Sequence, residues 1–169
     1  MAGNEGSDDR DATYEVWAFD QGLDTGHIYV PDGDGSFEEI DRIDFHELDD
    51  VTPGGDHAHD DEEEDHDGED EADAVVPHMV HFSSDYEYAA VACVAAGQSL
   101  IFRAEDRELV SAIDTGVSTH FAGFMPDDSA IQVDVIEEGA IKRIDADLEN
   151  EEFELTEELV IAEDPTFEE

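Results

Sequence analysis

Basic residues are scarce in this chain. It has six lysines and arginines against 51 aspartates and glutamates, and its formal net charge is −45. With so few cations, no basic patch is available to neutralise phosphates, so we expect no direct binding to nucleic acid. The scarcity is global, because residues 47–74 hold 15 of the acidic residues and leave 36 elsewhere against the six basic ones.

An excess of one charge of this size destabilises a compact chain at ordinary ionic strength, and halophilic proteins are known to carry it. In about 1 M salt the screening length falls to about 3 Å, so the repulsion largely disappears. The single lysine, Lys142, against five arginines fits the same pattern. The composition therefore predicts a salt-adapted protein, with a functional polyanion such as a nucleic-acid mimic as the alternative.

The chain also lacks cysteine pairs and long hydrophobic runs. Its one cysteine, Cys93, excludes an internal disulfide. No run approaches 18 apolar residues, and residues 1–11 have neither an apolar segment nor a twin arginine, so we expect no membrane span. The sequence as it stands predicts a cytoplasmic protein, or an exported one if the true start lies upstream. A hydrophobic content of 39% with nine phenylalanines excludes wholesale disorder.

Catalytic motifs are missing too. There is no nucleophile elbow, phosphate-binding glycine loop or paired-carboxylate motif, and among 51 acids a pair of carboxylates carries little information. Cys93 stands among small apolar residues with no basic neighbour, so we expect it, like Trp17, to be a core residue. These absences favour a protein that is not an enzyme.

What the chain does contain is an internal repeat. His-x-x-x-Phe occurs at His78 and again at His120, and two further pairs of residues share the same offset of 42. Those pairs are Asp85 with Asp127 and Gly97 with Gly139. A period in the low forties, with β-branched and aromatic segments and no helical periodicity, is typical of β-propeller blades.

The sequence therefore predicts an all-β fold: a β-propeller arc of about three four-stranded antiparallel blades, the first lacking its innermost strand. The predicted units are a disordered acidic N-terminus (1–12), blade 1 (13–46), an acidic His-containing low-complexity insert (47–76), blade 2 (77–116), blade 3 (117–162) and an acidic tail (163–169).

The second blade resembles the YVTN-type β-propeller repeat. Pro77-His78 through Asp85 is similar to that family's Pro-His-x-x-x-Phe-Ser-Pro-Asp-Gly pattern, with Ser84 where proline is usual and Tyr86 where glycine is usual. Asp128 replaces the same glycine in the third blade, and neither blade has a literal Tyr-Val-Thr-Asn. The resemblance implies a ring of usually seven blades, often in exported or surface proteins. Related propellers hold haem or copper at the hub, but no ligand set here matches theirs.

Three blades leave apolar radial faces and unpaired strand edges, which favour association. We therefore expect the partner of this chain to be itself or a missing propeller half. Three explanations of the arc stay open: a truncated or split coding region, self-assembly such as two arcs making six blades, and a stable open arc.

The insert contains three histidines among carboxylates: His57, His59 and His66. Imidazole with carboxylate suits a divalent transition metal, zinc, nickel or copper. Their spacing imposes no fixed geometry, so the alternative is a solvated loop between blades.

Two further histidines, His78 and His120, occupy equivalent positions on adjacent innermost strands, so they are predicted to be neighbours at the hub. They are candidates for a metal or an anionic ligand, and the alternative is a loop cap repeated in each blade. By the alternation of side chains along a strand, we expect His81 on the other side from His78.

The sequence thus favours a non-enzymatic binding module. The alternatives are divalent-metal handling through the insert or the hub histidines, and a fragment of a propeller oxidoreductase whose cofactor ligands lie in other blades. Fold alone does not choose among them.

Overall fold

The computed structural model describes residues 14–54 and 74–161. They form eleven strands and one 3₁₀ turn: β1 Val16–Asp20, β2 Thr25–Pro31, β3 Phe37–Asp44, the turn Phe45–Glu47, β4 Pro77–Phe82, β5 Tyr88–Cys93, β6 Gln98–Arg103, β7 Leu109–Asp114, β8 Thr119–Phe124, β9 Ala130–Val135, β10 Ala140–Asp147 and β11 Glu152–Val160. The predicted unstructured ends and most of the insert lie outside the described residues.

The strands form three antiparallel sheets. Blade 1 is β1-β2-β3, blade 2 is β4-β5-β6-β7 and blade 3 is β8-β9-β10-β11. The innermost strands of blades 2 and 3, β4 and β8, contact each other, and β1 contacts β4. The predicted arc is confirmed, including the three-stranded first blade. Within residues 14–54 and 74–161, no helix is long and apolar enough to cross a membrane.

Blades 1 and 2 are held together by an aromatic core. Trp17 meets Phe82 and Phe102 edge-on, and Phe45 meets Phe102 at a centroid distance of 6.0 Å. Phe45 and Phe102 are fully buried, and burial of each stabilises the fold by about 1.5–3 kcal/mol. Cys93 belongs to the same core, as predicted, and burial raises the pKa of its thiol.

Blades 2 and 3 share a second, aliphatic core. Alternate residues of β5 and β6, such as Ala90 and Ile101, pack against Ile131, Val133 and Ile144 of blade 3. The small side chains of β5 allow the sheets to approach closely, because protein interiors are packed to crystal density.

The repeat extends to the backbone. Tyr86 and Asp128, which replace the glycine of the repeat, have φ angles of 64° and 56°. Gly97 and Gly139, just before the third strand of their blades, have φ angles of 66° and 55°. These left-handed positions are where glycine is favoured, so they explain why the repeat places it there.

The loops emerge on two faces of the arc. We call the upper face the one that carries the starts of β4 and β8 and the turns after β1, β5 and β9. The lower face carries the turns after β4, β6, β8 and β10. The two stems of the insert meet on the upper face, where Gly54 N donates to Ala74 O at 2.9 Å.

Candidate functional site

The two hub histidines are bulge residues. In β4, Pro77 pairs with Cys93 and Met79 with Ala92, which leaves His78 as an extra residue. The pairing of β8 with β9 skips His120 in the same way. A β-bulge redirects a side chain away from its sheet, and bulges are frequent beside binding sites. Here the two bulges turn both imidazoles toward each other.

The predicted proximity is found. His78 Nε2 lies 3.0 Å from His120 Nε2, and the ring centroids are 4.4 Å apart. Gln21, in the turn after β1, places its amide nitrogen 2.5 Å from His78 Nδ1. If Gln21 donates to Nδ1, His78 carries its proton on Nε2 and donates it to His120 Nε2. The three side chains then form one directed chain of hydrogen bonds.

His78 resists protonation. Burial lowers the pKa of His78, and the neighbouring His120 lowers it further by charge repulsion. Near neutral pH His78 is therefore a neutral imidazole, which is the form that binds metals.

The geometry is close to that of two ligands of one metal. Two imidazole nitrogens at about 2.0–2.1 Å from a tetrahedral zinc ion lie about 3.3 Å apart, so a small shift of either ring suffices. Rotating the Gln21 amide would let its oxygen accept a hydrogen bond from His78 Nδ1–H. The lone pair of His78 Nε2 would then be available to a metal. No group of three or more metal-binding side chains occurs among residues 14–54 and 74–161. The described chain thus supplies two nitrogen ligands.

His81 does not join the pair, but its expected side is wrong. Its Nδ1 accepts a hydrogen bond from Phe124 N at 3.2 Å, and its ring meets Phe121 edge-on. His81 and His78 therefore both contact β8. The bulge at His78 breaks the alternation on which the prediction relied.

Sequence analysis missed Asp24, a carboxylate only 5% exposed in the turn before β2. It accepts hydrogen bonds from the backbone nitrogens of Val75 and Val76 at 2.9 and 2.7 Å, and His46 Nε2 lies 2.9 Å away. Asp24 has a φ of 50° and stands just before β2, at the position where blades 2 and 3 have Gly97 before β6 and Gly139 before β10. Aligning the three turns would have singled it out. Its role is to join blade 1 to the start of blade 2.

The insert histidines, His57, His59 and His66, lie outside the described residues. The stems that lead to them are well anchored. Gln98 accepts from Thr52 N at 3.0 Å through its side-chain oxygen and donates to Asp50 O at 3.3 Å. Both contacts are on the upper face, the face that also carries the histidine pair.

No family model matches the chain, and no curated protein matches it by sequence. Solved structures match it by fold. A protein from Lactobacillus plantarum gives a TM-score of 0.64 at 13% identity, over 86% of this chain and 38% of its own. The periplasmic gluconolactonase PpgL of Pseudomonas aeruginosa gives 0.59 at 13% identity, over 82% and 34%. The β-propeller domain of Cps50 (Swd1) from Myceliophteria thermophila gives 0.53 at 10% identity, over 87% and 40%.

The chain thus spans well under half the length of each of these solved structures. At such identities the likeness concerns the fold alone, and it shows that this chain is an arc of a β-propeller.

Proposed function

We propose that this chain is a non-enzymatic interaction module whose two open radial faces bind further propeller blades, from a second copy of the chain or from a missing propeller half. The observation that carries the proposal is the arc itself: blades 1 and 3 each cover one sheet face and leave the other open. The absence of catalytic motifs from the sequence supports the non-enzymatic part.

The open face of blade 3 is grooved and partly apolar. A groove of about 570 Å³ runs across β9, β10 and β11, between Gln132, Ile141, Arg143 and Leu159. Leu159 is 61% exposed, although it lies within β11, next to its last residue, and pairs with Ile141. Apolar side chains at such positions are ordinarily covered in a stacked repeat.

This face is more polar than the corresponding face inside the arc. Three positions that face the next blade are apolar in blade 2 and polar in blade 3, at the same offset of 42. They are Ala90, Ala92 and Ile101 in blade 2, and Gln132, Asp134 and Arg143 in blade 3. A surface of mixed polarity tolerates both water and a partner, so it favours a reversible contact over a permanent one.

The open face of blade 1 has a similar mixture. His27 stacks on Tyr29 at a centroid distance of 6.2 Å, and both His27 Nδ1 and the Arg42 guanidinium contact Glu39, at 3.1 and 2.8 Å. Val16, on the adjacent strand, is exposed. The free edge of β1 is where the innermost strand of this blade would pair.

Charge supports the placement of these contacts. Of the few basic residues, Arg42 lies on the open face of blade 1 and Arg143 on that of blade 3. Each of the two arginines lies beside carboxylates of its own face. An interface between the two faces would therefore contain charges of both signs, and not carboxylates alone. Elsewhere the excess of carboxylates opposes association unless salt screens it.

The test is the solution mass of the protein in 2 M KCl, measured by light scattering against concentration. We expect the wild type to associate and Leu159→Asp to weaken the association by about tenfold, because the substitution places a charge in the apolar part of the groove. Leu23→Asp, at a comparably exposed leucine in the turn after β1, is the control and should associate like the wild type. Equal masses for both variants and the wild type would contradict the proposed face.

We further propose that the blades are of the YVTN type. The left-handed backbone at Tyr86 and Asp128 supports this, since the glycine of that repeat belongs at both positions.

Divalent-metal handling is a second candidate function, favoured by the 3.0 Å separation of His78 and His120. Calorimetric titration with zinc, nickel and copper in molar KCl at pH 7.5 would distinguish metal binding at the hub histidines from metal binding in the insert. Binding that survives deletion of residues 56–67 and is lost in His78→Ala with His120→Ala would assign the metal to the hub. The opposite pattern would assign it to the insert, and His81→Ala serves as the control in both cases.

A further inference from the structure

A second concave site lies on the lower face, away from the histidine pair and from both open radial faces. It is a pocket of about 690 Å³ between blades 1 and 2. Its aromatic lining is Tyr14 from the start of blade 1, Phe82 from β4, and Tyr86 from the turn between β4 and β5. Three aromatic rings at one opening are unusual in a chain that is 8% aromatic.

Two of these rings have free faces. Tyr86 is 74% exposed and Tyr14 is 59% exposed. Behind them, Phe82 lies 6.3 Å from the Tyr86 ring and packs edge-on against Trp17. The Tyr88 ring faces away from the pocket, toward blade 3, where its hydroxyl lies 3.1 Å from Leu148 O. The pocket thus combines an anchored floor with exposed aromatic walls.

Tyr86 has a backbone conformation that is unfavourable for a residue with its side chain. Its φ of 64° is a left-handed conformation that costs free energy for a side chain of this size. The equivalent residue of blade 3, Asp128, has the same strain but accepts a hydrogen bond from Ser84 N at 3.0 Å, which joins two blades. No hydrogen bond holds the Tyr86 hydroxyl within residues 14–54 and 74–161. A strained, exposed aromatic residue without a structural role points to a binding role.

The charges around the pocket are negative. Glu87 and Glu105 line it, and their carboxylates accept no hydrogen bond or ion pair from the described part of the chain. The one cation of the lining, Arg103, is already paired with Asp106, Glu108 and Glu151. An anionic ligand would therefore be repelled, and a cationic ligand attracted.

Aromatic faces beside carboxylates select a particular kind of cation. A quaternary ammonium group cannot donate hydrogen bonds and is weakly hydrated, so ring faces bind it well. Potassium and magnesium prefer oxygen ligands and keep their water, so they compete for the carboxylates but poorly for the rings. This selectivity would persist in molar salt.

We propose that the lower-face pocket binds an organic ammonium cation, with Tyr86 and Tyr14 as aromatic walls and Glu87 and Glu105 supplying negative charge. The proposal is independent of the association across the radial faces.

Choline is the probe, titrated into the full chain in 2 M KCl and followed by calorimetry. We expect Tyr86→Asn to weaken choline binding by about tenfold, since one cation–π contact contributes on that order. Asparagine tolerates the left-handed backbone, so the variant should fold and unfold at the same temperature as the wild type or a higher one. Tyr86→Phe should bind like the wild type, and Glu87→Gln should bind several-fold more weakly.

Two controls make the test specific. Phe37→Ala removes another exposed ring, from β3, and should leave binding unchanged. The neutral analogue 3,3-dimethyl-1-butanol, which has the shape of choline without its charge, should bind at least tenfold more weakly. Absence of choline binding, equal binding by folded Tyr86→Asn, or equal binding of the neutral analogue would each overturn the proposal.

Discussion

Asp24 is a buried carboxylate at the junction of blades 1 and 2, and it occupies a position where its backbone would favour glycine. Two backbone N–H groups donate to it from the segment that follows the insert. This side chain therefore anchors the start of blade 2 to blade 1, in addition to the aromatic core between them.

We predict that Asp24→Gly destabilises the fold by about 2 kcal/mol even though glycine suits a φ of 50°, because two buried N–H groups lose a charged acceptor. Asp24→Ala should cost about 1 kcal/mol more, since alanine adds left-handed strain. Urea unfolding in molar KCl measures both. An Asp24→Gly variant as stable as the wild type would show that backbone fit outweighs the hydrogen bonds.

The lowered pKa of His78 should make the stability of the fold depend on pH. Its lowered pKa means that the folded chain binds fewer protons than the unfolded chain just below pH 6.5. The free energy of unfolding should therefore fall as the pH drops from 6.5 toward the folded-state pKa, and be unaffected by His78 above this window.

In His120→Asn, NMR titration should place the pKa of His78 higher than in the wild type but still below 6.5, because burial remains. An unchanged pKa of His78 in His120→Asn would contradict the pairing. The control is His81→Asn, which should leave the pKa of His78 as in the wild type.

At the scale of the strand, the sequence predicted most of what the structure contains. Three blades and the missing innermost strand of the first were predicted, because period-two patterning marks the strands and the 42-residue repeat relates blades 2 and 3. The bulges at His78 and His120 were not predicted, since no glycine or turn residue marks them. The side of His81 was wrong for the same reason. The lower-face pocket was not predicted either, because its walls come from segments distant in sequence.

Two glycines in turns, Gly97 before β6 and Gly33 before β3, provide a test at this scale. Gly97 has a φ of 66°, and a Cβ there would lie 2.9 Å from Gly116 O. Gly33 has a φ of 88° with nothing within 4 Å of the added atom. Gly33→Ala should therefore cost about 1 kcal/mol, from backbone strain alone. Gly97→Ala should cost about 1–2 kcal/mol more, because rigid backbone lies in the way. Equal losses in urea unfolding would mean that the turn relaxes freely.

For the whole molecule, charge and architecture act against each other. Stacked blades bury two continuous cores, while a formal charge of −45 repels within and between chains. We predict that β-structure followed by circular dichroism in 2 M KCl is lost at a lower temperature when salt is dialysed to 0.1 M, because the Debye length grows from a few ångströms to about 10 Å. Unchanged melting between the two conditions would contradict salt adaptation.

The arc itself is tested most directly by small-angle X-ray scattering in 2 M KCl. Association of two copies across their radial faces predicts a particle of twice the chain mass, with the compact distance distribution of a closed six-bladed ring. A particle of one chain mass with the extended profile of three blades, at every concentration, would contradict self-association and leave a missing propeller half as the partner.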